Sequence, residues 1–289
     1  MDALDLVKLR PLMARTSGRP DVAIGLLDGP VAVRHPDLAS QSIRAVGGAA
    51  NGECAQQDGA ACQHGTFIAG IVTARRGTAA PAICPGCSLL VRPIFTEAGP
   101  ASTTLPSAAP RELAAAVIEC IEAGARVLNL SVALTHLSGS NERDLTASLD
   151  YALNRGVLVV AAAGNQATVG SSVLTRHPWV IPVVGYDLEG RPMTMSNLSR
   201  SIGQGGLGAP GAGVISLTPG GKSVTSGGTS VAAPFVTGTI ALLWSEFPRA
   251  TAGQVKRAIL QSAPGRRNTV IPPLLDAWSA YQSLRRQLT

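Results

Sequence analysis

Four residues of this sequence, Asp28, His64, Asn165 and Ser230, are of the types that acyl transfer through a covalent intermediate needs. A serine hydroxyl is a weak nucleophile until a base takes its proton. A histidine can do that near neutral pH. A buried carboxylate holds the ring in the right tautomer and stabilises the imidazolium. A preorganised donor must then meet the oxyanion that develops on the scissile carbonyl. In that scheme Ser230 attacks, His64 is the general base, Asp28 orients it, and Asn165 forms an oxyanion hole with the Ser230 backbone N–H. Taken singly, each residue has a plainer explanation. Asp28 and Ser230 are good cap or turn residues, Asn165 after Gly164 reads as a turn, and a lone His-Gly pair carries nothing. The chemistry depends on whether the fold brings the four together.

The elements that would do so can be read. Asp21–Leu27 is a continuous apolar run ending at Asp28-Gly29-Pro30, the pattern of a strand buried on both faces. Ser88–Phe95, Val127–Ala133, Val157–Ala162 and Trp179–Gly185 read as further strands. Between them lie helical stretches: His64–Ala74, Arg111–Ala123 stopped by Gly124, and Leu145–Asn154 stopped by Gly156. Residues 40–63 and 96–108 read as loops, and 190–229 as loops with short strands. Ser230 opens a long apolar helix to about Trp244, and Thr251–Ser262 is another helix. This alternation predicts an α/β three-layer sandwich, with a mostly parallel central sheet covered by helices on both faces. Active residues in such sheets gather at the carboxyl ends of strands. Asp28 and Asn165 each follow a strand, while His64 and Ser230 each begin a helix.

No linker, repeat or charge block divides the 289 residues, so one domain is expected over 1–289. Residues 1–20 would be a lead-in and 263–289 a tail packed on the domain. With 32 glycines and 3% aromatics, the core must be built from small aliphatic side chains. The net charge is +6, but the basic residues are dispersed in small groups such as Arg75-Arg76 and Arg285-Arg286. A nucleic-acid binder would cluster them with aromatics, so no nucleic-acid partner is expected. No apolar run approaches the roughly 18 residues of a membrane span. The stretch Met1–Arg10 lacks the apolar centre of a secretory signal. If that is the native start, the expected location is the cytoplasm.

Around the four residues the sequence resembles the subtilisin-like serine peptidases. The segments are Ile24-Gly-Leu-Leu-Asp-Gly29 with His35-Pro-Asp-Leu38, His64-Gly-Thr-Phe-Ile-Ala-Gly70, Val159-Val-Ala-Ala-Ala-Gly-Asn165 and Gly228-Thr-Ser-Val-Ala-Ala-Pro234. Val127-Leu-Asn-Leu-Ser131, Ser196-Asn197 and Ala209-Pro-Gly211 also match, and the likeness covers about residues 20–262. The order Asp, His, Ser is that family's. The resemblance implies a serine endopeptidase acting on a peptide or precursor-protein substrate. Its specificity pocket would lie between Ser131, Val132 and Ala133 on one side and Ala161, Ala162, Ala163 and Gly164 on the other. Three departures stand out. Phe67 replaces a second histidine, Val132-Ala133-Leu134 replaces a glycine pair beside the substrate, and Val231 replaces a methionine. The Asp28-Gly29-Pro30 and Cys84-Pro-Gly-Cys87 segments look like the cyanobactin subgroup, whose members trim leaders from ribosomally made peptides. Two alternatives remain at this point. One is a macrocyclase or transpeptidase using the same triad, and the other is a non-catalytic peptide-binding relative.

The five cysteines allow several readings. Cys84 and Cys87 flank a Pro-Gly turn and are read as two small buried thiols, with a redox or zinc pair as the other choices. A bridge between Cys54 and Cys62 across the loop before His64 is an open alternative, and it would be awkward in a reducing cytoplasm. Cys120 is read as a core residue. No Asp-rich loop asks for calcium, although many members of the family bind it, so no metal or other cofactor is expected.

Overall fold

The computed structural model describes residues 2–47, 52–95, 109–132, 139–262 and 267–288. The chain begins with α1 (Ala3–Leu6), α2 (Arg10–Met13), β1 (Ala23–Asp28), β2 (Ile43–Ala45), α3 (Ala60–Thr73) and β3 (Ser88–Pro93). It continues through α4 (Pro110–Glu122), β4 (Val127–Leu130), α5 (Gly139–Arg155), β5 (Leu158–Ala162), α6 (Val173–Arg176), β6 (Val180–Tyr186), α7 (Arg200–Gly205) and β7 (Leu207–Pro210). A hairpin of β8 (Val214–Leu217) and β9 (Ser223–Ser226) precedes α8 (Thr229–Glu246), α9 (Ala252–Ser262) and α10 (Ala277–Leu288).

Strands β1 to β7 form one sheet in the order β2-β3-β1-β4-β5-β6-β7. Every neighbouring pair is parallel, which gives the predicted α/β sandwich. Successive side chains of a strand point to opposite faces. Accordingly Ile24 and Leu26 of β1 join the core under α3 and α8. Ala23 and Leu27 join the core under α4 and α5. Covered on both faces, β1 is buried at every position, which is why its sequence runs apolar without alternation. Helix α8 is apolar around its whole circumference and buried over most of its length, including Phe235 and Trp244. A helix with no polar face belongs inside a core. Here it threads one layer of the sandwich and carries Ser230 at its first turn.

Several boundaries differ from the sequence expectations. Strand β2 lies inside the stretch read as a loop. It is three residues long and only Ile43 is partly buried, so pairing with β3 makes it a strand without an apolar pattern to announce it. Strand β4 ends at Leu130 rather than at position 133, and Ala133 and Leu134 lie outside the described residues. Helix α3 starts at Ala60, so His64 sits at its fifth residue instead of opening it. The tail forms α10, which buries Ala277, Ala280, Tyr281 and Leu284 at i, i+3, i+4 and i+7 spacing. The chain ends are joined by Ala277 N–H donating to Val7 O at 2.9 Å and by the Lys8–Asp276 ion pair at 2.6 Å.

Candidate active site

Asp28 is the last residue of β1, and its side chain is wholly buried. Its Oδ1 accepts from the Gly29 N–H at 2.6 Å and faces His64 Nδ1 at 2.7 Å. An ionised carboxylate only accepts, so Nδ1 is the protonated ring nitrogen and Nε2 carries the lone pair. That lone pair faces Ser230 Oγ at 3.0 Å, inside the 2.6–3.2 Å reach a general base needs. Burial disfavours the imidazolium, but the charge of Asp28 and its hydrogen bond together outweigh burial and raise the His64 pKa above its ordinary value.

Two glycines make this approach possible. A Cβ on Gly29 would lie 1.9 Å from Ala61 O, and one on Gly65 would lie 2.4 Å from Pro30 O. The chain leaving β1 therefore lies directly against the first turns of α3. The Asp-Gly and His-Gly pairs of the sequence mark one backbone contact seen from its two sides.

Ser230 is the second residue of α8, not its N-cap. Gly228 holds the cap position at φ +134°, a value that favours glycine, and makes no side-chain cap bond. The Ser230 N–H is therefore among the first N–H groups of the helix, which have no acceptor within it. The positive end of the helix dipole favours negative charge there. Asn165 follows β5 on an exposed turn. Its Oδ1 accepts from the Thr229 N–H at 2.9 Å, which leaves Nδ2 as the end of the amide turned to donate. Thr229 Oγ1 in turn accepts from the Gly164 N–H at 3.1 Å. Sequence reading missed Thr229 although it adjoins Ser230, because its partners lie some 65 residues away.

Of the expected pocket walls, Ser131 and Val132 on one side and Ala161 to Gly164 on the other are described, and Ala133 lies outside the described residues. Leu130 pairs with Ala161 in register, so the segments leaving β4 and β5 run side by side. Ser131, Val132, Ala161, Ala162, Ala163 and Gly164 are all buried. Asn129 Nδ2 donates to Ser131 Oγ at 2.8 Å, and Thr237 Oγ1 of α8 donates to Asn129 Oδ1 at 2.9 Å. This buried chain ties the segment leaving β4 to the helix that carries Ser230.

The cysteines correct one expectation. Cys84 and Cys87 are not free thiols but a disulfide, with Cα atoms 5.6 Å apart. The Pro-Gly turn between them closes by Cys87 N–H donating to Cys84 O at 3.1 Å, which brings the two side chains together. Cys54 and Cys62 form a second disulfide across eight residues. Cys120 is buried, and burial pushes its thiol up to about 12. Among the described residues no group of three or more His, Cys, Asp or Glu is placed to hold a metal ion. None of their helices is long and apolar enough to cross a membrane.

Residues 19–281 match the Subtilase family. Subtilisin DY from Bacillus licheniformis is 30% identical over 267 residues, which cover 90% of each chain. Fervidolysin from Fervidobacterium pennivorans is 28% identical over 84% of this chain, but over only 37% of its own length. Among solved structures, a mutant of the protease domain of PatA superposes with a TM-score of 0.83 at 29% identity, covering 93% of this chain and 97% of that one. The prenylagaramide maturation protease PagA gives 0.83 at 26% identity, covering 96% and 98%. The PatG macrocyclase domain, at 19% identity and a TM-score of 0.82, shares the fold.

Proposed function

This chain belongs to the subtilase family of serine endopeptidases, and from that premise we propose that Ser230, His64, Asp28 and Asn165 carry out its chemistry on a precursor peptide. Ser230 Oγ attacks the scissile carbonyl as its proton passes to His64 Nε2, and Asp28 stabilises the imidazolium. Asn165 Nδ2 and the Ser230 N–H donate to the oxyanion. Removing such a donor from an enzyme of this family costs about 10²–10³ in kcat. His64 then gives the proton to the leaving amine, and an ester on Ser230 remains. Water attacks that ester, with His64 again taking the proton, and the acid product leaves. No step calls for a metal or other cofactor.

The substrate reading is carried by one observation. The chain spans almost the whole length of PatA's protease domain and of PagA, and both are maturation proteases, of patellamide and prenylagaramide. A precursor peptide would lie extended beside Ser131 and Val132, pairing by its main chain. The small, uncharged pocket walls would accept a small or apolar side chain. The whole of 1–289 acts as one peptidase domain in this reading, with its two ends tied together. A cytoplasmic location would require both disulfides to be reduced.

The test is incubation with leader-bearing precursor peptides, and separately with casein, read by mass spectrometry. The proposal expects one cut in a precursor, with water added across the bond, and little casein digestion. Equal digestion of casein at many bonds would overturn the precursor reading. A cyclic product lacking the added water would assign the chain to transpeptidation.

A further inference from the structure

We infer that Asn197 is a positioning residue for the oxyanion-hole donor Asn165, acting by clamping the strained turn on which that donor sits. The inference rests on the proposed role of Asn165. The turn runs from Gly164 to Thr168, and its middle is strained: Ala167 has φ +53°. A left-handed conformation costs a residue with a Cβ about 1–2 kcal/mol. It persists only where the surroundings hold it in place.

Asn197 supplies that hold. Its Oδ1 accepts from the Gln166 N–H at 3.0 Å and the Thr168 N–H at 3.2 Å, the N–H groups of the residues before and after Ala167. Its Nδ2 donates to Gln166 Oε1 at 2.7 Å, and its backbone N–H donates to Gly164 O at 2.9 Å. Ala167 N–H also donates to Met195 O at 2.9 Å, and Leu198 N–H to Thr168 O at 2.9 Å. Gly164, Gln166, Ala167 and Thr168 are thus bonded to the 195–198 segment. Asn165 bonds instead to Thr229 at the start of α8.

The clamp has a rigid footing. The neighbouring Ser196 is buried, and its Oγ accepts from the Gly185 N–H of β6 at 3.2 Å. Met193 N–H donates to Gly185 O at 2.8 Å. The central sheet thereby sets where Asn197 sits, Asn197 sets the shape of the turn, and the turn sets where Asn165 Nδ2 points. A displacement of the donor by about 1 Å weakens catalysis by about 10²-fold.

The experiment is a double-mutant cycle between Asn197 and Asn165, with kcat and KM measured on a cleavable peptide. Affinity is also measured for a peptide aldehyde, which forms a tetrahedral adduct with a serine hydroxyl. Asn197→Ala is expected to lower kcat by roughly 10–100-fold, below the loss from removing the donor outright. KM should hold within about twofold, and aldehyde affinity should fall by the same factor as kcat. In the Asn165→Ala background, Asn197→Ala should add almost nothing. If Asn197→Ala does not fold, Asn197→Ser takes its place in the same cycle. An Asn197 variant that leaves kcat unchanged, or multiplies in full with Asn165→Ala, overturns the positioning role and leaves the peptidase reading intact. If Asn165→Ala itself leaves kcat unchanged, the oxyanion-hole reading falls, and this inference with it.

Discussion

Replacing Asp28 by asparagine separates its two jobs, orienting His64 and charging its surroundings. Asp28 Oδ1 receives both the Gly29 N–H and His64 Nδ1, whereas Oδ2 is buried with no partner among the described residues. An asparagine therefore keeps its oxygen where Oδ1 is now and puts its NH₂ where Oδ2 is. The opposite rotamer would point N–H groups at the Gly29 N–H. His64 thus keeps the productive tautomer, and the loss is mainly that of charge. For charge centres about 4 Å apart at an effective permittivity near 20, the attraction is about 4 kcal/mol. That corresponds to about 10³ in rate. The buried NH₂ without acceptors should also cost about 1–3 kcal/mol of stability.

The pH dependence has a defined sign. In the unmodified protein Asp28 raises the His64 pKa, so the acid limb of the kcat/KM profile should lie above the ordinary imidazole value of about 6.5. Without that charge, burial acts alone and lowers the pKa. The assay is kcat/KM against pH on a fluorogenic peptide, with Asp28→Asn beside the unmodified protein. The expected result is a loss of about 10³ with the acid limb moved to lower pH. A loss below about tenfold, or a limb that stays in place, would mean that the Asp28 charge does not act on His64.

Three further predictions concern the scaffold. Gly29→Ala pushes a Cβ against Ala61 O and must shift the turn of α3 that leads to His64. It should cost about 1–3 kcal/mol in urea unfolding and about 10²-fold in kcat; unchanged activity would contradict the backbone contact. Thr237→Val leaves buried Asn129 Oδ1 without its donor and should destabilise by about 1–3 kcal/mol, read by chemical denaturation. The double variant Cys54→Ala, Cys62→Ala opens a loop closed across eight residues. Loop-closure entropy puts its loss at about 2.5 kcal/mol, a fall in Tm of roughly 4 °C by calorimetry.

The parts of the fold visible in the sequence were those whose burial is continuous. The runs at Ala23–Asp28 and Leu158–Ala162 are apolar because helices cover both faces of the sheet, and no turn or polar face interrupts them. Strand β2 carries no such mark, because it sits at the sheet edge and two of its three residues are exposed. Asp28, His64, Asn165 and Ser230 were legible because each stands in a segment where glycine permits close backbone approach or an unusual turn. The contacts that steady them were not. Thr229 meets Gly164, Asn197 meets Gln166, and Thr237 meets Asn129 across separations of 65, 31 and 108 residues. No periodicity or spacing encodes a side-chain hydrogen bond of that range. The Cys84–Cys87 bridge is a local feature: a Pro-Gly turn in the sequence shows a backbone reversal but not that the two flanking side chains meet.

In the proposed chemistry Ser230 is a nucleophile activated by His64. A fluorophosphonate probe tests it most directly, since it labels a serine only where a base has activated it. On the folded protein, peptide mapping by mass spectrometry should place one equivalent of label on Ser230, with none on Ser230→Ala and a much slower reaction on His64→Ala. Label on another residue, or labelling of Ser230 that proceeds at the same rate in His64→Ala, would contradict the account.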